Sequence, residues 1–359
     1  MLQPQSLMKM HDRRAASVDG RSPAKRPRQG AESDASAPNA DDDLSRTRWG
    51  GAVPSRPSGT GVAPGDLLAD RFQVQERLGR GGMGEVFSAQ DTVLGEAVAL
   101  KVVHPHPSDA QDGFRRLKRE VQLARRVTHS NVCRIFDLIQ HRGEDGGQLL
   151  HLVSMELLRG ETLRDRRAHS GSLPVDEALA IIRQIARGLN AAHRYGIVHR
   201  DLKPSNVMLV DEAGGLRAAI TDFGLARVVG AGTRDSASSR IHELVGTPAY
   251  MAPEQIAGEP LSPATDIYSL GLVLYELLAG RLPFSGSSVW ELAAQRVSHP
   301  PTPIVRYVPD LDATVRALID RCLARDPAAR FASTGQLLNV LDFGDGSWDV
   351  YGRKPHGAP

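Results

Sequence analysis

Short apolar or alternating runs mark the chain from about residue 71 onward. Such runs, bounded by turn residues, are typical of β-strands. They lie at residues 71–78, 85–90, 97–103, 132–140 and 149–155. Between the third and fourth runs, apolar residues recur at spacings of three and four, which predicts a helix over residues 112–128. We therefore expect a small, mainly β unit that contains one helix.

The pattern after residue 157 is mainly helical. Helices are predicted over residues 175–195, 264–280, 311–324 and 333–341. The second of these is apolar on nearly all sides, which indicates a buried central helix rather than a surface one. The fold class that follows is α+β, with a small lobe at residues 70–156 and a larger, mainly α lobe at residues 157–341.

The two ends of the chain differ from this core in composition. Residues 1–65 are rich in small, polar and charged residues and poor in aromatic and β-branched ones, so we expect them to be disordered. A basic string at residues 25–28 could be a nuclear or nucleic-acid signal, but a solvated patch beside the acidic run at 41–43 is favoured. The short tail at 342–359 begins with an Asp-Phe-Gly string that we expect to be coincidental, and we expect no sensor domain after it.

Composition and charge narrow the class of protein. The chain has 359 residues, is 41% hydrophobic and has a formal net charge of +2, which gives no argument for a nucleic-acid or membrane surface. The sequence shows neither a membrane span nor the apolar core of a signal peptide. Its two cysteines, Cys133 and Cys322, lie in apolar contexts and are expected to be buried thiols. We expect a cytoplasmic protein.

A polar loop at residues 199–206 carries the strongest chemical signal. Asp201 can accept a proton from a hydroxyl, and Lys203 can offset negative charge. Asn206 can offer an oxygen to a hard cation such as Mg²⁺. Asp222 ends the next short apolar run and is a second candidate acid. Together these groups suit phosphoryl transfer, whereas the alternative is a polar turn between two strands.

A glycine-rich segment follows the first predicted strand. Its glycines are Gly79, Gly81, Gly82 and Gly84. Glycine lets the backbone approach a triphosphate closely. Because a strand and not a helix follows, the segment is expected to be a flap over phosphates rather than a Rossmann turn.

Lys101 is the single charged residue in the apolar third strand, so its ammonium group needs a partner. Glu120 lies on or beside the apolar stripe of the predicted helix and needs a partner too. We expect these two residues to pair. The alternative is that Glu120 is an exposed helix residue.

These segments together resemble the protein kinases, whose signatures include the 199–206 loop and the Asp222-Phe223-Gly224 tripeptide. Three further strings, at residues 81–86, 246–255 and 266–271, are similar to those of the bacterial eukaryotic-like (Hanks-type) serine/threonine kinases. The resemblance implies the two-lobed protein kinase fold over residues 70–341. It also implies protein substrates that carry serine or threonine, since Lys203 belongs to the serine/threonine form of the loop.

The resemblance implies ATP as cofactor, together with Mg²⁺ ions, for which Mn²⁺ could substitute, held by Asn206 and Asp222. It implies that Asp201, Lys203, Lys101 and Thr247 are catalytic. The nucleotide contacts that it implies are Leu78, Gly79, Gly81, Gly82, Gly84, Val86, Ala99, Lys101, Glu120, Met155, Glu156, Leu158, Asn206, Met208 and Asp222. The backbone at residues 155–158 would be the hinge that bonds the adenine.

The resemblance also implies structural and regulatory contacts. Asp266 would anchor the backbone of the catalytic loop, and Glu254 would pair with Arg330. Arg200 would bind a phosphate on the activation segment, residues 222–254. The candidates for autophosphorylation are Ser238 and Ser239, then Thr233 and Ser236, while the alternative is that these are solvated loop residues.

The function expected from this set is an active protein kinase that phosphorylates serine and threonine, including in its own activation segment, with self-association for that step. Neither a nucleic-acid partner nor a membrane span is expected. The alternatives are a nucleotide-binding scaffold with little turnover and a small-molecule phosphotransferase of related fold. The full set of catalytic residues argues against the scaffold, and the segment at 246–255 argues against the small-molecule enzyme.

Overall fold

The computed structural model describes residues 61–81, 84–103, 110–143, 149–223 and 248–342. Most of the two predicted tails lies outside these residues, as does most of the activation segment. The predicted disorder of the N-terminal segment therefore stays a prediction for residues 1–60.

The small lobe is built on a six-stranded antiparallel sheet with the order β1-β2-β3-β4-β6-β5. Its strands are β1 (Leu67–Leu68), β2 (Phe72–Gly81), β3 (Gly84–Asp91), β4 (Glu96–Val103), β5 (Ile135–Arg142) and β6 (Leu149–Glu156). The five predicted strands are all present, with bounds that differ by no more than three residues. Val132, which was expected to begin β5, instead forms an isolated parallel bridge with Ile220.

Strand β1 begins the sheet at Leu67, whereas the sequence predicted that the small lobe begins at residue 70. Two residues are too few to show the alternation on which strand prediction depends. Gly65 N donates to Val74 O at 2.9 Å, and Ala69 N donates to His141 Nδ1 at 3.1 Å. Gly65 is thus bonded to β2, and Val62 packs against the apolar core of the small lobe, while the disorder of the N-terminal segment stays a prediction.

One helix accompanies this sheet, as predicted. Helix α1 (Ala110–Ala124) ends four residues before the predicted bound at residue 128. Its apolar stripe includes Leu117 and Val121, which are buried in the same core cluster as Val153 of β6. Burial of this stripe holds α1 against the small lobe.

The large lobe consists of helices and one small sheet. Its helices are α2 (Leu163–Ser170), α3 (Val175–His193), α4 (Pro253–Ala257), α5 (Pro263–Ala279), α6 (Val289–Ser298), α7 (Ala313–Cys322) and α8 (Thr334–Asp342). The sheet pairs β7 (Glu161–Thr162), β8 (Val207–Glu212) and β9 (Gly215–Ile220) in that order. The four predicted helices correspond to α3, α5, α7 and α8, which confirms the α+β class.

Helix α5 is the buried centre of this lobe, as its all-round apolar pattern predicted. Ser262 Oγ accepts from Ala264 N at its start, and Gly280 ends it with a φ of 68°. A side chain at Gly271 would lie 2.6 Å from Cys322 Cβ, so glycine allows α5 and α7 to approach closely. Within the described ranges, no helix combines the length and apolarity needed to cross a membrane.

A buried ion pair fastens α4 to the segment before α8. Arg330 donates from Nη1 to Glu254 Oε1 at 2.8 Å and from Nη2 to Glu254 Oε2 at 2.9 Å. Arg330 also donates to three backbone carbonyl oxygens, and Thr265 Oγ1 donates to Glu254. Burial would raise the pKa of Glu254, but the bonds and charge of Arg330 hold it below its ordinary value. The predicted pair is confirmed.

Asp342, the first residue of the second Asp-Phe-Gly string, makes structural contacts with α3. Asp342 Oδ1 lies 2.9 Å from Arg183 Nε and 3.4 Å from Arg187 Nη2, both on α3. Arg183 Nη2 also donates to Leu341 O at 2.6 Å. Asp342 thus fixes the end of α8 to α3, and Phe343 and Gly344 lie outside the described residues.

We predict that Arg330→Met lowers the free energy of unfolding by about 3–5 kcal/mol, because it leaves the Glu254 carboxylate buried without its charge partner. Urea denaturation near pH 7 measures this loss. The loss should shrink in acid, since a protonated Glu254 no longer needs the cation.

The matched control is Arg164→Met. Arg164 pairs with Asp165 at 3.3 Å, but its side chain is 64% exposed. We expect a change of about 0–1 kcal/mol for this exposed pair. Equal losses in the two variants would contradict a special role for the Arg330 pair.

Candidate active site

The catalytic loop is held by a buried carboxylate on α5. Asp266 Oδ2 accepts from His199 N at 2.7 Å, and Oδ1 accepts from Arg200 N at 2.8 Å. His193 Nε2 of α3 donates to Asp266 Oδ2 at 2.7 Å, and its Nδ1 lies 2.7 Å from Thr334 Oγ1. The predicted anchoring by Asp266 is confirmed, and the sequence analysis missed the part of His193.

His199 links this loop to the segment that carries Asp222. Its Nδ1 accepts from Asp201 N at 3.2 Å, so Nε2 carries the proton that is donated to Thr221 O at 2.9 Å. The ring of Phe223 meets the His199 ring edge-on with centroids 4.7 Å apart. Arg200 and Asp222, the residues after these contacts, both have positive φ, at 70° and 60°. The contacts hold the backbone in this conformation on both sides of the site.

Asp201, Lys203 and Asn206 form one cluster. Lys203 Nζ lies 2.9 Å from Asp201 Oδ2. Asn206 Nδ2 donates to Asp201 O at 2.8 Å and to Asp201 Oδ2 at 3.0 Å. No donor among the described residues bonds the other carboxylate oxygen, Asp201 Oδ1. The cluster therefore offers an oriented carboxylate with one oxygen open to a substrate hydroxyl.

The same contacts orient the oxygen of Asn206. Because both acceptors on Asp201 require the amide nitrogen, Oδ1 of Asn206 is left as an acceptor for another group. Asp222 adds a carboxylate, and these two kinds of oxygen are ligands that Mg²⁺ prefers. Among the described residues, no three His, Cys, Asp or Glu side chains form a metal site by themselves. The pair suits a cation that is otherwise held by phosphates and water.

Lys101 pairs with Asp222 and not with Glu120. Lys101 is only 4% exposed on β4, and its Nζ lies 2.6 Å from Asp222 Oδ1. The expected ion pair with Glu120, half-buried on α1, is not formed in this structure. Helical spacing indicates which face of α1 carries Glu120, but not the distance of that face from β4.

The charge of Lys101 also affects the titration of Asp222. Burial would raise the pKa of Asp222, but the charge and hydrogen bond of Lys101 hold it below its ordinary value. Asp222 therefore remains an anion at neutral pH, as a ligand for a cation must be.

The predicted adenine pocket is an apolar cluster beside the hinge. Ala99 and Met155 are buried together with Cys133, and Val86 and Leu158 pack against them. The sequence analysis expected Cys133 to be buried, which is confirmed, but did not place it here. Burial raises the pKa of the Cys133 thiol above its ordinary value, so the thiol stays protonated and contributes apolar surface to this cluster rather than a nucleophile.

The other predicted nucleotide contacts lie in three places. Leu78, Gly79, Gly81 and Gly84 lie on β2 and β3, where a side chain at Gly84 would overlap the carbonyl oxygen of Val102. Met208 is half-buried on β8, opposite Thr162 of β7. Glu156 ends β6. Gly82, Thr247 and the four phosphorylation candidates lie outside the described residues.

Polar side chains that the sequence analysis missed hold the segment between residue 248 and α4. Arg296 of α6, only 1% exposed, donates to Ala249 O and to Met251 O. Ser269 Oγ donates to Tyr250 O at 2.9 Å, and Tyr250 Oη donates to Glu276. Ser269 and Glu276 lie on α5 and Arg296 lies on α6, and both helices contact the segment. The spacing of residues along the sequence does not show that these helices and the segment meet.

Burial sets the ionisation of this group. Burial raises the pKa of Glu276, although the charge of Arg167, 3.1 Å away, acts to lower it. Burial also holds the pKa of Tyr250 well above its ordinary value.

Gln255 connects the same segment to the catalytic loop, because its Nε2 donates to Arg200 O at 2.7 Å and its Oε1 accepts from Ala252 N at 2.9 Å. The segment is thereby fixed with respect to Asp201.

Known proteins share both the sequence and the fold. The chain is 41% identical over 286 residues to "Serine/threonine-protein kinase pkn2" of Myxococcus xanthus, a match that covers 78% of this chain and 33% of that protein. It is 35% identical over 277 residues to "Serine/threonine-protein kinase PknA" of Mycobacterium tuberculosis, which covers 77% and 62%. The chain thus spans a third to less than two thirds of the length of these curated relatives.

Solved structures agree. The PknI kinase domain of Mycobacterium tuberculosis matches with a TM-score of 0.60 at 29% identity, over 78% of this chain and 98% of that one. Rad53, solved in complex with AMP-PNP, matches with a TM-score of 0.59 at 28% identity, over 75% and 64%. The family model described as "Protein kinase domain" matches residues 72–340. With the site geometry described above, this match shows that the chain belongs to the protein kinase family, and the bacterial proteins to which it is similar are named as serine/threonine kinases.

Proposed function

We propose that this chain is an active serine/threonine protein kinase, which transfers the γ-phosphoryl group of ATP to serine and threonine hydroxyls of proteins. The observation that carries the proposal is the contact cluster of Asp201, Lys203 and Asn206. The names of the relatives at 35–41% identity support the serine/threonine class.

The reaction needs little covalent chemistry from the protein, since positioning and charge stabilisation supply most of the catalysis. Asp201 Oδ1 would orient the substrate hydroxyl and take its proton. Lys203, held against Asp201 Oδ2, would offset charge on the phosphoryl group as it moves. Lys101 would bind the α- and β-phosphates from β4, and the glycines at 79–84 would cover them and exclude water.

Asn206 Oδ1 and Asp222 Oδ2 would hold Mg²⁺, or Mn²⁺ in its place. Asp222 Oδ1 accepts from Lys101, and its second oxygen has no hydrogen-bond donor among the described residues. A bound cation would neutralise charge on the β- and γ-phosphates. Asn206 would hold the cation close to Asp201, because its Nδ2 donates to Asp201 while its Oδ1 faces the cation.

The two alternatives predict different behaviour. A nucleotide-binding scaffold would not need Asp201 aligned by two donors to its carboxylate, Lys203 and Asn206, while its backbone N–H is held by His199 Nδ1. A small-molecule phosphotransferase would not need the segment that Arg296 and Gln255 fix beside the catalytic loop. Both observations favour a kinase that acts on proteins.

The setting of this activity is also proposed. Two buried free thiols, Cys133 and Cys322, suit a reducing compartment, and we infer a cytoplasmic signalling enzyme. Phosphorylation of its own activation segment by a second copy would require transient self-association.

We predict that Asp201→Asn lowers kcat for peptide phosphorylation by about 10²- to 10⁴-fold. The reason is that the proton acceptor is lost while the phosphate-binding groups remain. ATP binding, measured by calorimetry, should be nearly unchanged. Turnover within about tenfold of wild type would contradict the role of Asp201.

We predict that Lys101→Met nearly abolishes phosphoryl transfer and that Glu120→Ala has a much smaller effect. Lys101 already has a carboxylate partner in Asp222, so Glu120 is not needed to keep its charge buried. Steady-state kinetics with varied ATP tests this order. A loss from Glu120→Ala as large as that from Lys101→Met would show that Glu120 orients Lys101 during turnover.

We predict autophosphorylation of Ser238 and Ser239. Arg200, whose backbone is held by Asp266 and Gln255 next to Asp201, would bind the phosphate. Mass spectrometry of the protein with Mg-ATP should find the modification, and Asp201→Asn should lack it. The double Ser→Ala variant should phosphorylate other proteins more slowly. Full activity of an unmodified segment would refute this mode of regulation.

A further inference from the structure

All four polar groups of Glu156, at the end of β6, are engaged. Its N donates to Arg134 O at 2.9 Å, and its O accepts from Cys133 Sγ at 3.6 Å. Its carboxylate accepts from Arg134 N at 3.2 Å through Oε2 and from Arg217 Nη2 at 2.6 Å through Oε1. Three of these contacts come from residues just before β5. Only the fourth, from Arg217, comes from the large lobe.

Arg217 makes this contact from the small sheet. It lies on β9 opposite Val210 of β8, and its Nη1 also lies 2.8 Å from Glu212 Oε1. Glu156 pairs with Val98 in the six-stranded sheet of the small lobe. The Arg217–Glu156 ion pair therefore joins the sheets of the two lobes at the hinge.

The ion pair is placed to be stronger than an ordinary surface pair. The side chains of Arg217 and Glu156 are 20% and 29% exposed, and the guanidinium uses separate nitrogens for its two carboxylates. Burial would lower the pKa of Arg217, but the bonds and charges of Glu156 and Glu212 raise it above its ordinary value. Charged hydrogen bonds that are partly shielded from water are stronger than exposed ones.

We propose that Arg217 is a positioning residue for the nucleotide, because it holds Glu156 and with it the hinge backbone in the conformation that receives the adenine. The proposal rests on the proposed function, which assigns the backbone of residues 155–158 to the adenine. Residue 217 lies far from this hinge in sequence and outside every kinase motif described above. A hinge that is fixed before binding loses less conformational entropy when the nucleotide binds, so its affinity is higher.

The test compares Arg217→Met with the control Glu212→Gln in the full chain. Arg217→Met removes the hinge contact and keeps most of the side-chain volume, whereas Glu212→Gln removes only the other carboxylate. We expect Arg217→Met to raise the Kd for AMP-PNP, and the KM for ATP, by about three- to tenfold, with kcat within about twofold. Glu212→Gln should leave both within about twofold of wild type.

A double-mutant cycle with Glu156→Gln separates a positioning role from a general loss of stability. If the two residues act through one contact, Glu156→Gln/Arg217→Met should bind AMP-PNP no more weakly than Arg217→Met alone. Arg217→Lys, which can keep one charged contact, should recover part of the affinity. An unchanged Kd for Arg217→Met, with a lower Tm, would show that Arg217 only stabilises the fold and would overturn the proposal.

The result is independent of whether the enzyme phosphorylates proteins. AMP-PNP binding requires no phosphoryl transfer, so a wild-type protein that binds it but phosphorylates nothing would refute the proposed function and leave the affinity comparison valid. A wild-type protein that phosphorylates peptides, with Arg217→Met equal to it in Kd and KM, would refute the role of Arg217 alone.

Discussion

The catalytic loop depends on the buried carboxylate of Asp266. A charged group without solvent must be met by donors, and here they come from three directions: His193 of α3 and the backbone N–H groups of His199 and Arg200. The cost of burying Asp266 therefore fixes the loop to α5 and α3 at once. Asp201 follows directly, so its carboxylate is positioned by the same contacts that keep Asp266 buried.

Helix α5 serves the rest of the site in the same way. Thr265, Ser269 and Glu276 of this helix bond Tyr250, near the end of the activation segment, and Glu254, in α4. Buried polar groups of this kind are costly unless each has its partner, so they favour one arrangement of the loops around the helix. A helix that is apolar nearly all round thus uses its few polar positions to order the active site.

Much of this organisation could be predicted from the sequence because it depends on local pattern or on motif. Periodicity placed the five longer strands, and the all-round apolar run identified α5 as central. The resemblance to kinases supplied the Glu254–Arg330 pair and the anchoring role of Asp266. Strand β1 was missed because two residues carry no periodicity, and Arg296 and Gln255 were missed because their contacts are made to backbone carbonyl oxygens and not to a complementary side chain.

The contacts that the sequence analysis did not place correctly include the two ion pairs that join the lobes within the described residues. Lys101 pairs with Asp222, and Glu156 pairs with Arg217, from the adjacent strands β4 and β6. Pattern and motif describe each lobe separately, but the partner of a charge at their junction depends on how the lobes meet. Since ATP would bind at this junction, the same two ion pairs join the lobes where the nucleotide has to fit. The lobe arrangement and the affinity for nucleotide would therefore be coupled through residues that no single segment of the sequence identifies.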